Sequence, residues 1–190
     1  MAATMRAVSS HGVSGLTLAH VGAEAGLAPS TLAERYGSKR ALLLAAAKSA
    51  ARAVTASTPA TPAPTPAARA VPAATPAAPA ATPRDDAVDY LVGLARHVGD
   101  RRAFAHHLAF LELDVADEEF RAAAAEHVAA VLARLEWFGL SAPEARALYV
   151  AYNGALVLWA LTGEGSLEDS LRADLSHSPE PGGASTSPSA

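Results

Sequence analysis

Apolar residues recur at helical spacing in two blocks of this chain, separated by a stretch with no such spacing. In the first block Leu18, Val21 and Ala25 fall at i, i+3 and i+7, the stripe of an amphipathic helix. Thr17 precedes it as an N-cap, because its hydroxyl can accept an N–H that the first turn leaves without a partner. Gly26 follows, as suits the left-handed residue that ends many helices. Pro29 suits the first turn of the next helix, where a missing N–H is no loss. Leu32 and Tyr36 give that helix an i, i+4 edge, and Ser38 caps a further helix starting near Lys39. The expected elements are a first helix over residues 3–10 with Met5 and Val8 inward, a second over 17–25, a third over 29–36, and a fourth from 39 to about 54. Leu42, Leu43 and Ala46 of the fourth should pack on the other three. Helix, short glycine turn, helix is the signature of a DNA-binding helix-turn-helix, whose second helix enters the major groove.

The second block begins near Asp85. Val88, Leu91, Val92, Ala95 and Val98 predict a helix ending near Gly99, and Phe104, Leu108, Leu111 and Val115 the apolar face of one over 101–113. Asp117 caps a long helix with one stripe from Phe120 through Val128, Val131, Leu132 and Leu135 to Phe138, ended by Gly139. Ser141, Pro143 and Glu144 restart the chain as cap, first-turn proline and early acid. The helix that follows, to about Thr162, is apolar on nearly every side and must be covered on every side, by its own core and by a partner subunit. A short helix over 167–175 closes the block. Between the blocks, residues 55–83 carry eight of the thirteen prolines. Prolines this dense stop helices, so the stretch is expected to be a spacer, and the Ser, Pro and Gly-rich tail from Ser176 is expected to be disordered.

Composition narrows the function classes. Alanine is abundant and aromatics are scarce, which favours an all-α fold. There is no cysteine, so disulfides and thiolate metal sites are excluded, and a reducing cytoplasm suits the chain. No apolar run is long enough for a membrane span. Residues 1–54 carry six basic and two acidic side chains, a net +4, while the remainder carries nine against seventeen, a net −8. A basic head on an acidic body fits a DNA reader with a separate second domain.

From about Met5 to Ala46 the chain resembles the N-terminal domain of the TetR family of bacterial transcriptional regulators. The resemblance runs without a gap through Gly12, Thr17, Val21 and Gly22, the Ala25–Gly26–Leu27 turn, Thr31 and Leu32, and then Tyr36, Ser38, Lys39 and Leu42. It implies a DNA-binding domain over 1–54, a linker over 55–83, a helical ligand-binding and dimerisation domain over 84–175, and a tail over 176–190. It also implies a ligand-responsive repressor that binds a palindromic operator as a homodimer. Thr17, Arg35 and Lys39 are its candidate phosphate ligands. Pro29, Ser30, Thr31, Ala33 and Glu34 lie on the exposed side of the recognition helix, where hydroxyls serve base or phosphate and Pro or Ala can meet a thymine methyl. In the second block the helix order and Asn153–Gly154 resemble the family's regulatory domain. This implies dimerisation through about 144–175 and a pocket for a small apolar ligand walled by Phe104, His107, Leu108, Leu111, Val128, Leu132, Tyr152 and Asn153.

Three departures qualify the expectation. Only Arg6 precedes the motif, where relatives have a longer first helix and a basic arm, so a loosely held first helix is expected. Ala33 stands where a tyrosine is common. Ala28 stands where relatives cap the recognition helix with Ser or Thr, a change that costs about 1 kcal/mol. With the proline-rich spacer, these set out an alternative: a relative that binds DNA weakly, is loosely geared to its body, and acts through protein association. An enzyme is not expected. His97, His106, His107, Glu112 and Asp114 cluster in sequence, but His106 and His107 are adjacent and point about 100° apart on a helix. No HExxH or G-x-S-x-G spacing occurs, so no catalytic residue, metal or cofactor is assigned.

Overall fold

The computed structural model describes residues 2–58, 82–96, 98, 100–163 and 165–176. Most of the spacer, the tail beyond Ser176 and His97 lie outside them. Among the described residues the fold is all-α. Four helices form the head: α1 (Ala2–Gly15), α2 (Leu18–Ala25), α3 (Pro29–Tyr36) and α4 (Lys39–Ser57). Five follow: α5 (Pro83–Ala95), α6 (Arg101–Ala116), α7 (Glu118–Trp137), α8 (Ala142–Thr162) and α9 (Leu167–Ser176). Helix α4 thus runs three residues past the predicted boundary at 54, and α5 opens inside the predicted spacer.

The ends are where their caps require. Thr17 Oγ1 accepts from the His20 amide, Ser38 Oγ from the Ala41 amide, and Asp100 Oδ1 from the Ala103 amide. Thr82 with Asp85, and Ser141 with Glu144, form reciprocal capping boxes ahead of first-turn prolines. Those hydrogen bonds hold the Asp85 and Glu144 carboxyls below the ordinary carboxylate range.

Two hydrophobic clusters organise the packing. One lies wholly beyond the head apart from Val54. It gathers Leu91 and Val92 of α5, Phe104 of α6, Val131 and Leu135 of α7, Leu148, Tyr152 and Trp159 of α8, and Leu171 and Leu175 of α9. The other joins head to body: Ala7, Val8, Leu16, Val21, Leu32, Leu42, Leu43 and Leu44 share it with Phe110 of α6 and Phe120 and Ala123 of α7. Among the described residues the most extensive helix contact is α4 against α7, followed by α1 against α6. The head is therefore packed directly onto the body, contrary to the loose gearing expected from the spacer.

The first helix is also not loosely held. It extends to Gly15 through a left-handed kink at Gly12 (φ 68°), with Thr4, Ala7 and Val8 buried. The positive φ and the packing both suit glycine here: His106 of α6 lies against the kink, and a Cβ at Gly12 would meet its ring at 3.2 Å. On α6 the predicted face is buried only at its first residue, Phe104. Phe104 and Phe110 are buried, whereas Leu108, Leu111 and Val115 are 41%, 57% and 66% exposed. Leu108, Leu111 and Val115 share the face of Phe104 at i+4, i+7 and i+11, so this face passes from covered to uncovered along the helix, while Phe110 points elsewhere, into the cluster shared with the head.

Candidate nucleic-acid interface

Helix α3 has eight residues and is held by little more than Leu32, which is buried, and Tyr36, which is half-buried. Pro29, Ser30, Thr31, Ala33, Glu34 and Arg35 are all exposed. Ala28 gives α3 no side-chain cap, and the Thr31 and Leu32 amides bond to its carbonyl instead. The turn before α3 is set by glycines. Gly26 takes the left-handed conformation (φ 66°). A Cβ on Gly22 would lie 2.6 Å from the Leu27 carbonyl oxygen, so that position admits no side chain without shifting the turn. Thr17 is exposed at the head of α2. Its oxygen accepts from the His20 amide, and its O–H remains available as a donor.

The cations near this surface are differently disposed. Arg35 lies over the Tyr36 ring, 5.6 Å from its centroid, and is exposed. Lys39 does not extend freely: its Nζ donates to the carbonyls of Val13 and Ser14 at 3.3 and 3.2 Å, closing the C-terminal end of α1. An ammonium has three donors, so a third remains for a phosphate. Arg6 donates to the Glu24 carboxylate and carbonyl. Arg40, which was not among the sequence candidates, is held by Asp117 and Glu119. Its pairing was illegible beforehand because its partners lie 77 and 79 residues away.

Of the eight candidate ligand residues, Phe104 and Tyr152 are buried and Leu132 is half-buried, while His107, Leu108, Leu111, Val128 and Asn153 are exposed. Asn153 donates to the Tyr149 carbonyl in its own helix. Two surface grooves lie elsewhere: one beside Arg96 and Glu168, the other between Arg52 and Thr55 of α4 and Glu126 and Ala130 of α7. His107 is exposed as a residue, yet desolvation of its ring lowers its pKa, and desolvation of the half-buried His127, with the neighbouring His107, does the same there. The Nδ1 of His127 is buried without a hydrogen-bond partner. No group of three or more His, Asp or Glu residues placed to hold a metal occurs among the described residues. No described helix is long and apolar enough to cross a membrane.

Helix α8 has two apolar faces. Leu148, Tyr152, Leu156 and Trp159 are buried, while Val150, Val157, Leu158 and Leu161 are exposed, Leu161 by 80%. Gly154 lies on the exposed side, with nothing within 4 Å of where its Cβ would stand. Helix α9 turns Leu171 and Leu175 inward and carries Asp169, Arg172 and Asp174 outside.

Residues 1–46 match the family described as bacterial regulatory proteins, tetR family. No curated protein matches the chain. Among solved structures, a candidate transcriptional regulator from Pseudomonas aeruginosa PAO1 is similar at 15% identity and a TM-score of 0.50, covering 92% of this chain and 84% of its own. The TetR family transcriptional regulator PfmR from Thermus thermophilus is similar at 16% identity and a TM-score of 0.51, covering 92% and 94%. At such identities the structures establish a shared fold, and the family match is confined to the head. Over residues 1–46, its N-terminal helical head, the chain is similar to the tetR family of bacterial regulatory proteins.

Proposed function

We propose that the protein is a DNA-binding transcriptional regulator that recognises a palindromic operator as a homodimer and acts as a ligand-responsive repressor. The observation that carries the reading is α3: an eight-residue helix that buries Leu32 and presents six other side chains to solvent, beside the exposed hydroxyl of Thr17. Ser30, Thr31 and Glu34 offer donors and acceptors to base edges, Pro29 and Ala33 apolar contact, and Arg35 and Lys39 positive charge to phosphates. The exposed apolar face of α8 supports the homodimer, with Val150, Gly154, Val157 and Leu161 as its proposed contact. A ligand would act by favouring one arrangement of the two heads over another, and the resemblance alone supports that part of the reading.

The test is selection of duplexes from a randomised pool, followed by anisotropy titrations over a salt series. Arg35→Ala should lower affinity on every sequence and reduce the salt slope by about 1. Ser30→Ala with Thr31→Ala should relax base preference at fixed positions. Failure of the wild-type protein to enrich any duplex would refute the reading. One observation favours the alternative of a weak DNA binder acting through protein association: Arg6, Lys39 and Arg40 are already engaged inside the protein.

A further inference from the structure

Two consecutive side chains at the start of α4 reach in opposite directions. Lys39 turns back into the head, onto the end of α1. Arg40 turns into the body. Its Nε donates to Asp117 Oδ2 at 2.9 Å, and its Nη2 donates to Asp117 Oδ1 at 2.8 Å and to Glu119 Oε2 at 2.7 Å. The guanidinium also stands 5.7 Å from the centroid of the Phe120 ring.

A single exposed ion pair contributes little, because two flexible chains must be ordered against solvent screening. This one is built differently. The planar fork meets one carboxylate with two nitrogens and a second carboxylate besides. Asp117 is itself fixed as the N-cap of α7, where it accepts from the Glu119 amide. The bond to Asp117 raises Arg40 above the ordinary arginine pKa, and the same bond depresses the Asp117 carboxyl. A second tie lies on α6: His106 Nδ1 is 2.7 Å from the Ser9 carbonyl oxygen, so Nδ1 carries the proton and donates to α1. A head tied at α1 and at α4 cannot rotate on the body without breaking one of the two.

We propose that Arg40 is a positioning residue: by locking the first turn of α4 to Asp117 and Glu119 of α7, it fixes the angle of the reading head and hence the half-site spacing the dimer accepts. The inference rests on the dimeric DNA reading proposed above. One inserted base pair turns the second half-site by roughly 35° and moves it about 3.4 Å. A fixed head rejects that change, and a swinging head absorbs it.

The experiment takes the duplex selected by the wild-type chain, adds or removes one base pair between its halves, and compares these with an isolated half-site. The wild type should bind the altered spacings about tenfold more weakly. In Asp117→Asn/Glu119→Gln, where Asn still caps α7, the ratio should fall to about twofold with half-site affinity kept within about twofold. Arg40→Gln should give the same compression, and combining the three changes should compress no further, because one contact is removed either way. An unchanged ratio in the carboxylate variant overturns the inference, even if affinity for all duplexes rises together. So does Arg40→Gln weakening every spacing alike, which would make it a phosphate ligand. Enrichment of half-sites with no fixed spacing overturns the inference and leaves DNA reading standing. Enrichment of no duplex overturns both.

Discussion

Leu16 lies between α1 and α2, is 2% exposed, and shares its cluster with Phe110, Phe120 and Ala123 of the body. Truncating it in Leu16→Ala removes buried methyl groups and leaves a cavity, at a cost of about 2–5 kcal/mol. In a chain of this size each kcal/mol lowers the thermal midpoint by about 2–4 °C, so the expected shift is about 4–20 °C. The informative point is where the shift is seen. The two tryptophans, Trp137 and Trp159, are both in the body. Trp137 is seventeen residues along α7 from Phe120, roughly 25 Å at 1.5 Å per residue. If the head completes its core with body side chains, head and body melt as one unit. Tryptophan emission and the 222 nm circular dichroism should then both move, by the same amount. A tryptophan midpoint unmoved by Leu16→Ala, with an earlier helical transition split off, would show that the head folds on its own and would refute the shared core.

Further outcomes follow from other contacts. Gly154→Arg meets no atom in its own subunit and removes a helical glycine, so the fold should hold or gain up to about 1 kcal/mol, while sedimentation shows the dimer replaced by monomer. Gly154→Ala should remain dimeric, and equal masses for both variants would count against the α8 interface. His107 and His127 are held below the ordinary histidine pKa of 6.5, so between their folded values and 6.5 the unfolded chain binds more protons. Their contribution to stability is full above 6.5 and lost as pH falls below it. Urea midpoints should drop from pH 7.5 to 5.5, and less in His107→Gln/His127→Gln; parallel curves would exclude these two groups.

Much of the architecture was legible because helix ends are written locally. Thr17, Gly26, Ser38 and the Ser141–Glu144 box each satisfy a backbone group within four residues, and Pro29 removes a donor that would lack one, so their spacing alone places the boundaries. The two-faced character of α8 was legible from its excess of apolar residues. The α6 face was legible only at Phe104, because spacing along one helix does not say how far along it a neighbour extends. Phe120 read as part of the α7 stripe, yet it fills the head's core. Lys39 read as a phosphate ligand, and the carbonyls of Val13 and Ser14 that also hold it become visible only once α1 is bent at Gly12.

The family match ends at residue 46, but the cluster those residues help form continues into Phe110, Phe120 and Ala123. A chimera that exchanged residues 1–46 for the head of another regulator would therefore set foreign side chains against Phe110 and Phe120, and would leave Asp117 and Glu119 facing whatever replaced Arg40. The segment that can be transplanted with its supports intact includes the α6–α7 corner, from His106 to Ala123, although 48 residues of chain separate that corner from the end of α4.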